Sequence, residues 1–167
     1  PTPTDRQRVV ITGMGWVTPL GHDLETVWRR LLAGDSGIAP IDRFEAATFP
    51  TTFAGQVRDY DVAKYLTDPS VHEGVGLNSA FALGAARQAW DQAGLDSAAD
   101  LDRRRVGMYL GAGEGVLDFD PYAAANLAGW DADRQVVDGR RWVEKALEVM
   151  RRVREVEQEP NMPLAPL

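Results

Sequence analysis

The chain has 167 residues, room for one domain or for part of a larger one, and too few for two independent domains. Hydrophobic residues make up 44% and charged residues 26%, ordinary globular usage that argues against wholesale disorder, a collagen-like repeat or a coiled-coil rod. A formal net charge of -7 repels phosphate backbones and anionic lipid, and a cysteine count of 0 excludes a disulfide framework, a Cys-ligated zinc and a cysteine nucleophile within these residues.

Residues 1–7 read as a polar tail without the apolar segment of a signal peptide. No apolar run approaches the roughly 20 residues that cross a bilayer, so the cytoplasm is the default location. Val9-Val10-Ile11-Thr12 is a β-branched run that breaks at Gly13-Met14-Gly15, predicting a buried strand entering a glycine-rich turn. Leu24, Val27, Trp28, Leu31 and Leu32 then recur at helical spacing, with Asp23 placed as N-cap, Gly34 as the C-terminal glycine, and one buried face.

Residues 35–76 are rich in Gly, Pro, Asp and Thr and predict a long surface excursion, broken by a short strand at Phe53–Val57. From Leu77 to Ala93 alanine dominates, and Phe81, Ala85, Ala89 and Trp90 form a stripe ending at Gly94. A helix is expected there whose small residues admit close neighbours. Val106–Leu110 predicts a second strand, running into Gly111, Gly113 and Gly115, and the strand, helix, strand alternation indicates an α/β fold. Beyond Asp118 a loop carrying Tyr122 and Trp130 is expected, followed by one amphipathic helix through Trp142, Ala146, Val149, Met150 and Val153 with Asp138 as its cap. The domain reading is therefore a tail at 1–7, an α/β core at 8–118 and an extension of loop and amphipathic helix at 119–167.

Single motifs say little. Gly13-Met14-Gly15 after a strand invites a dinucleotide-binding reading, but position 18 is Thr where the third glycine belongs, and no acidic residue closes a second strand about 20 residues on. Gly111-Ala-Gly113-Glu-Gly115 lacks the Lys and Ser/Thr of a P-loop, so its glycines are expected to let a loop pass close to packed structure or a ligand. His22 and His72 lie in loops beside acids and read as surface histidines, although such a pairing also suits a proton shuttle. Asp118 and Asp120 read as solvated acids before they read as a metal or acid/base pair.

The ordered set of segments says more. Arg8-Val-Val-Ile-Thr-Gly-Met-Gly-Trp-Val-Thr-Pro-Leu-Gly21, Trp28-Arg-Arg-Leu-Leu-Ala-Gly-Asp-Ser-Gly-Ile38, Ile41-Asp-Arg-Phe44, Phe53-Ala-Gly-Gln-Val57, Asp59-Tyr-Asp61, Ala85-Ala-Arg-Gln-Ala89, Ala93-Gly-Leu95 and Arg105-Val-Gly-Met-Tyr-Leu-Gly-Ala-Gly113 follow one another at characteristic spacing. Together they resemble the amino-terminal part of the β-ketoacyl-acyl-carrier-protein synthases across most of residues 8–118.

The resemblance implies the first half of a thiolase-like α/β fold, a mixed sheet packed with helices and incomplete in this chain, in an enzyme that is normally a homodimer. It implies a decarboxylative Claisen condensation of an acyl thioester with malonyl-carrier protein, in fatty-acid or polyketide synthesis. A cysteine at a helix N-terminus takes the acyl group, and two histidines assist decarboxylation and stabilise the oxyanion. All three fall beyond residue 167, so no catalytic residue is assigned within this chain, and His22 and His72 match neither histidine. The implied partners are the acyl- and malonyl-loaded carrier protein and the remainder of the synthase. No cofactor or metal is implied.

Two departures concern specificity. At the position matching Glu114 the family presents a residue, commonly apolar or bulky, that borders the acyl-chain pocket. A carboxylate there is expected to face solvent, find a partner, or mark a pocket for a polar or short acyl group. Ahead of the alanine-rich helix, Ser70-Val-His-Glu-Gly-Val-Gly76 stands where many members carry a Lys/Arg-rich stretch that meets the acidic carrier protein. Arg151, Arg152 and Arg154 supply either a substitute or an ordinary solvated face. A non-catalytic, chain-length-factor-like partner subunit is the alternative role, and a nucleotide-binding α/β domain is the more distant rival.

Overall fold

The computed structural model describes residues 8–113 and 118–156. Backbone contacts divide the chain into two units: Pro1–Thr67 with Phe81–Val106, and Asp68–Ala80 with Gly107–Leu167.

In the first unit, Thr18 and Gly21 exchange backbone hydrogen bonds of 2.8 and 3.1 Å across a tight turn. Helix α1 (Leu24–Leu32) follows, started by the Asp23 carboxylate, which accepts from the Thr26 N–H at 2.8 Å. It stops in a Schellman motif: Gly34 adopts φ 75°, its N–H donates to the Leu31 carbonyl, and the Asp35 N–H donates to the Arg30 carbonyl at 3.0 Å. Arg30 secures the same end, donating to the Leu20 carbonyl at 2.7 Å and to Asp35 at 2.8 Å. The expected buried face is narrower than its pattern. Val27 is buried, while Trp28, Leu31 and Leu32 remain 57%, 47% and 71% exposed, because no described segment covers that side.

The excursion at 35–76 is more ordered than expected. Strand β1 (Ile38–Pro40) pairs antiparallel with β2 (Phe53–Gly55), Ala39 opposite Ala54. The Gln56 amide donates to the Pro40 carbonyl and to Asp42, and Arg58 donates to both as well, so the ribbon's end is tied by side chains. The Arg58 hydrogen bond holds the Asp42 carboxyl below its ordinary range.

Helix α2 (Leu77–Gln92) occupies the alanine-rich stretch as expected. Its Ser79, Ala80, Leu83 and Gly84 are buried. Gly94, two residues past its end, has a φ of 66° that suits glycine.

The two expected strands do not form. Residues 9–12 and 106–110 carry no strand pairing among the described residues, and Val9, Ile11 and Tyr109 are 95%, 82% and 100% exposed. β-branched composition makes a segment ready to be a strand, but a strand exists only through hydrogen bonds to a neighbour, and here none is provided. In place of a mixed sheet, the described residues hold two antiparallel two-stranded ribbons.

The second unit is led by a helical hairpin. Helix α3 (Phe119–Gly129) replaces the loop expected there: Pro121 falls within its first turn, where an N–H has no helical partner, and alanines fill its middle. A ribbon of β3 (Trp130–Asp131) and β4 (Val136–Val137) returns the chain, and Asp131 accepts from the Asp133 and Arg134 N–H groups to shape the turn. Helix α4 (Gly139–Val149) packs back on α3 with Ala125 and Ala146 buried between them, and the Trp142 indole N–H donates to Asn126 at 3.2 Å. A side chain at Gly129 would meet Trp142 and Val137, so its lack of one lets the helices approach. Asp138 caps α4 as expected, accepting from the Arg140 and Arg141 N–H groups.

The single amphipathic helix expected through Val153 is two. Helix α4 ends at Met150, whose backbone is extended at φ -81° and ψ 140°, and a short α5 (Arg152–Val156) follows. The bend brings Val153 and Arg151 against the turn at Gly74, where φ is 81°; packing on that turn overrides continuation of the helical period.

Glycine packing yields a direct test. A methyl group at Gly15 would overlap the Ala85 carbonyl oxygen, whereas one at Gly111 meets nothing within 4 Å. Gly15→Ala is therefore expected to destabilise the folded protein by about 1–3 kcal/mol in urea unfolding. Gly111→Ala should stay within about 0.5 kcal/mol of the parent. Equal effects of the two substitutions would contradict the packing described.

Candidate functional site

The most built feature of the first unit is the seat of the glycine turn on α2. Ala85, Gln88, Ala89 and Gln92 follow the spacing i, i+3, i+4, i+7 and so form one face of the helix. Gly13 and Gly15 lie on it so closely that a side chain at either would strike the Ala89 or Ala85 carbonyl. Between the alanines the glutamines act as a substitute strand edge. Gln92 Oε1 accepts from the Met14 N–H at 2.7 Å. Gln88 Oε1 accepts from the Trp16 N–H at 3.4 Å, and Gln88 Nε2 donates to the Trp16 and His22 carbonyls at 3.2 and 2.8 Å. The amides that a pyrophosphate would need at Met14 and Trp16 are thus already taken, and α1 begins only at Leu24 rather than at the turn. The glycines here serve close packing, not dinucleotide binding.

Beside this seat lies an open groove of about 560 Å³ lined by Met14, Trp16, Leu24, Glu25, Trp28 and Gln92, mostly apolar, with Trp28 exposed along it. Behind the seat, Tyr60 is held in an aromatic cluster: its ring meets His22 edge-on at 5.1 Å, Phe81 edge-on at 5.2 Å and Tyr65 stacked at 5.9 Å. The Tyr65 hydroxyl donates to the His22 carbonyl at 2.9 Å. Burial, reinforced by Tyr65 and by the negative charge of Asp61, pushes the Tyr60 hydroxyl up to about 12.

The sequence-derived candidates distribute as follows. His22 is partly buried against Tyr60 in the first unit, and its carbonyl rather than its ring makes the hydrogen bonds described. His72 closes a 3₁₀ turn at Pro69–His72 in the second unit. Asp118 accepts from the Arg154 guanidinium at 3.5 Å, and Asp120 is exposed in the first turn of α3. Arg151 lies against the Gly74 turn, and Arg152 is exposed. Of the glycines expected to let a loop pass close to packed structure or a ligand, Gly111 and Gly113 have no packed structure within 4 Å of an added Cβ among the described residues, and Gly115 lies outside the described residues. Glu114 lies outside the described residues. Among the described residues no group of three or more His, Cys, Asp or Glu side chains is arranged to hold a metal, and no helix is long and apolar enough to cross a membrane. No single motif marks Gln88 and Gln92 as partners of the glycine turn. Their signal was a pair of glutamines, i and i+4, interleaved with alanines on one helical face.

Residues 6–150 match the family described as Beta-ketoacyl synthase, N-terminal domain. The chain is 44% identical over 113 residues to 3-oxoacyl-[acyl-carrier-protein] synthase 2 of Coxiella burnetii, covering 68% of this chain and 27% of that protein. It is 33% identical over 115 residues to Granaticin polyketide putative beta-ketoacyl synthase 2 of Streptomyces violaceoruber, covering 69% of this chain and 28% of that protein. Among solved structures, the ishigamide ketosynthase/chain length factor superposes with a TM-score of 0.55 at 24% identity, over 94% of this chain and 34% of that one, a likeness of fold. The chain spans about a quarter of the length of the curated relatives it matches.

Tyr60 gives the site a pH signature. Its hydroxyl, ordinarily near 10, sits at about 12 in the folded state, so its contribution to stability is intact below pH 10 and is lost as pH rises from about 10 through about 12. Tyr60→Phe is expected to remove the latest step of the tyrosinate absorbance titration and to shift alkaline unfolding to higher pH. Loss of an ordinary step near 10, with the latest step retained, would contradict the burial of this hydroxyl.

Proposed function

Because the chain belongs to the β-ketoacyl synthase family through its amino-terminal domain, we propose that it forms the opening portion of a 3-oxoacyl-[acyl-carrier-protein] synthase. The observation that carries this reading is the family match over residues 6–150, joined by 44% identity to a 3-oxoacyl-[acyl-carrier-protein] synthase. In the proposed reaction, the complete protein takes an acyl group as a thioester and condenses it with malonyl-carrier protein. Loss of carbon dioxide from the malonyl group generates the carbanion equivalent, which attacks the thioester carbonyl and expels the thiolate. The nucleophilic cysteine must come from outside these residues, since the chain contains 0 cysteines.

On this reading the 167 residues supply scaffold rather than chemistry. The seat of the glycine turn on α2 and the hairpin of α3 and α4 are close, small-residue contacts of the kind that hold a remote reaction centre in register. The partners are the acyl- and malonyl-loaded carrier protein, the remainder of the synthase and a second copy in a homodimer, with the cytoplasm as the place of work. The products belong to fatty-acid or polyketide synthesis.

The test is a condensation assay on the full-length protein with acyl- and malonyl-carrier protein. Formation of the 3-oxoacyl product with release of carbon dioxide is expected, and the 167-residue chain alone should form none. A full-length protein that forms no product, yet restores activity when paired with a second synthase subunit, would replace this reading with the non-catalytic partner role.

Glu114 is proposed to border the acyl chain. A carboxylate against an alkyl group costs several kcal/mol unless it is paired or hydrated, so an apolar replacement should favour longer chains. Glu114→Ile in the full-length enzyme is expected to raise kcat/KM for long acyl thioesters relative to short ones by about 10-fold or more, equivalent to about 1.4 kcal/mol. An unchanged ratio would remove Glu114 from the pocket.

A further inference from the structure

We draw no further inference here: the strongest candidate, the open apolar groove of the first unit between Met14, Trp16, Leu24 and Trp28, carries none because nothing in the structure shows what covers it.

Discussion

Close approach between the Gly13–Trp16 backbone and the small-residue face of α2 is the contact on which the first unit depends. The Gln88 and Gln92 amides pair three backbone groups of that segment, the Met14 and Trp16 N–H groups and the Trp16 carbonyl. The arrangement demands glycine at 13 and 15, where a side chain would strike the Ala89 and Ala85 carbonyls, together with an amide at 88 and 92. A larger side chain lifts the backbone away, and loss of an amide hands its backbone partner to water. Gln88 also reaches the His22 carbonyl, which ties the seat to the aromatic cluster at Tyr60 and to the entry of α1. The second unit uses the same device on a different element: Gly129 and Ala125 of α3 let α4 pack close, and one side-chain hydrogen bond from Trp142 fixes the contact.

Features decided within a few residues were legible in the sequence. The limits of α1 could be read because Asp23 and Gly34 act on their own neighbours, and the Asp138 cap of α4 for the same reason. The extent of α2 followed from its alanines. What depends on distant partners was not legible. Residues 9–12 and 106–110 have strand composition without strand pairing, because pairing belongs to two segments and composition to one. The bend at Met150 answers to packing of Val153 on the Gly74 turn, which no local period announces. Helix α3 was hidden by Pro121 and by acids that read as loop, although a proline in a first turn is compatible with a helix.

The candidate site divides in the same way. Family membership was readable from the order and spacing of many short segments, none of which is informative alone, and the match over residues 6–150 agrees with it. The role of each segment was not readable. Gly13-Met14-Gly15 has the form of a phosphate-binding turn, and only its placement on α2, with its amides already engaged, reveals a packing role. The chain belongs to the β-ketoacyl synthase family through residues 6–150 and contains 0 cysteines.

The central claim, that two glutamine side chains hold the glycine turn on α2, is tested most directly by amide hydrogen exchange in the full-length protein. Met14 and Trp16 N–H groups should be protected in the parent, with Met14 losing protection in Gln92→Leu and Trp16 in Gln88→Leu, each by about 10-fold or more if the hydrogen bond stabilises by roughly 1.4 kcal/mol. Exchange rates at both amides that are the same in parent and variants would contradict it.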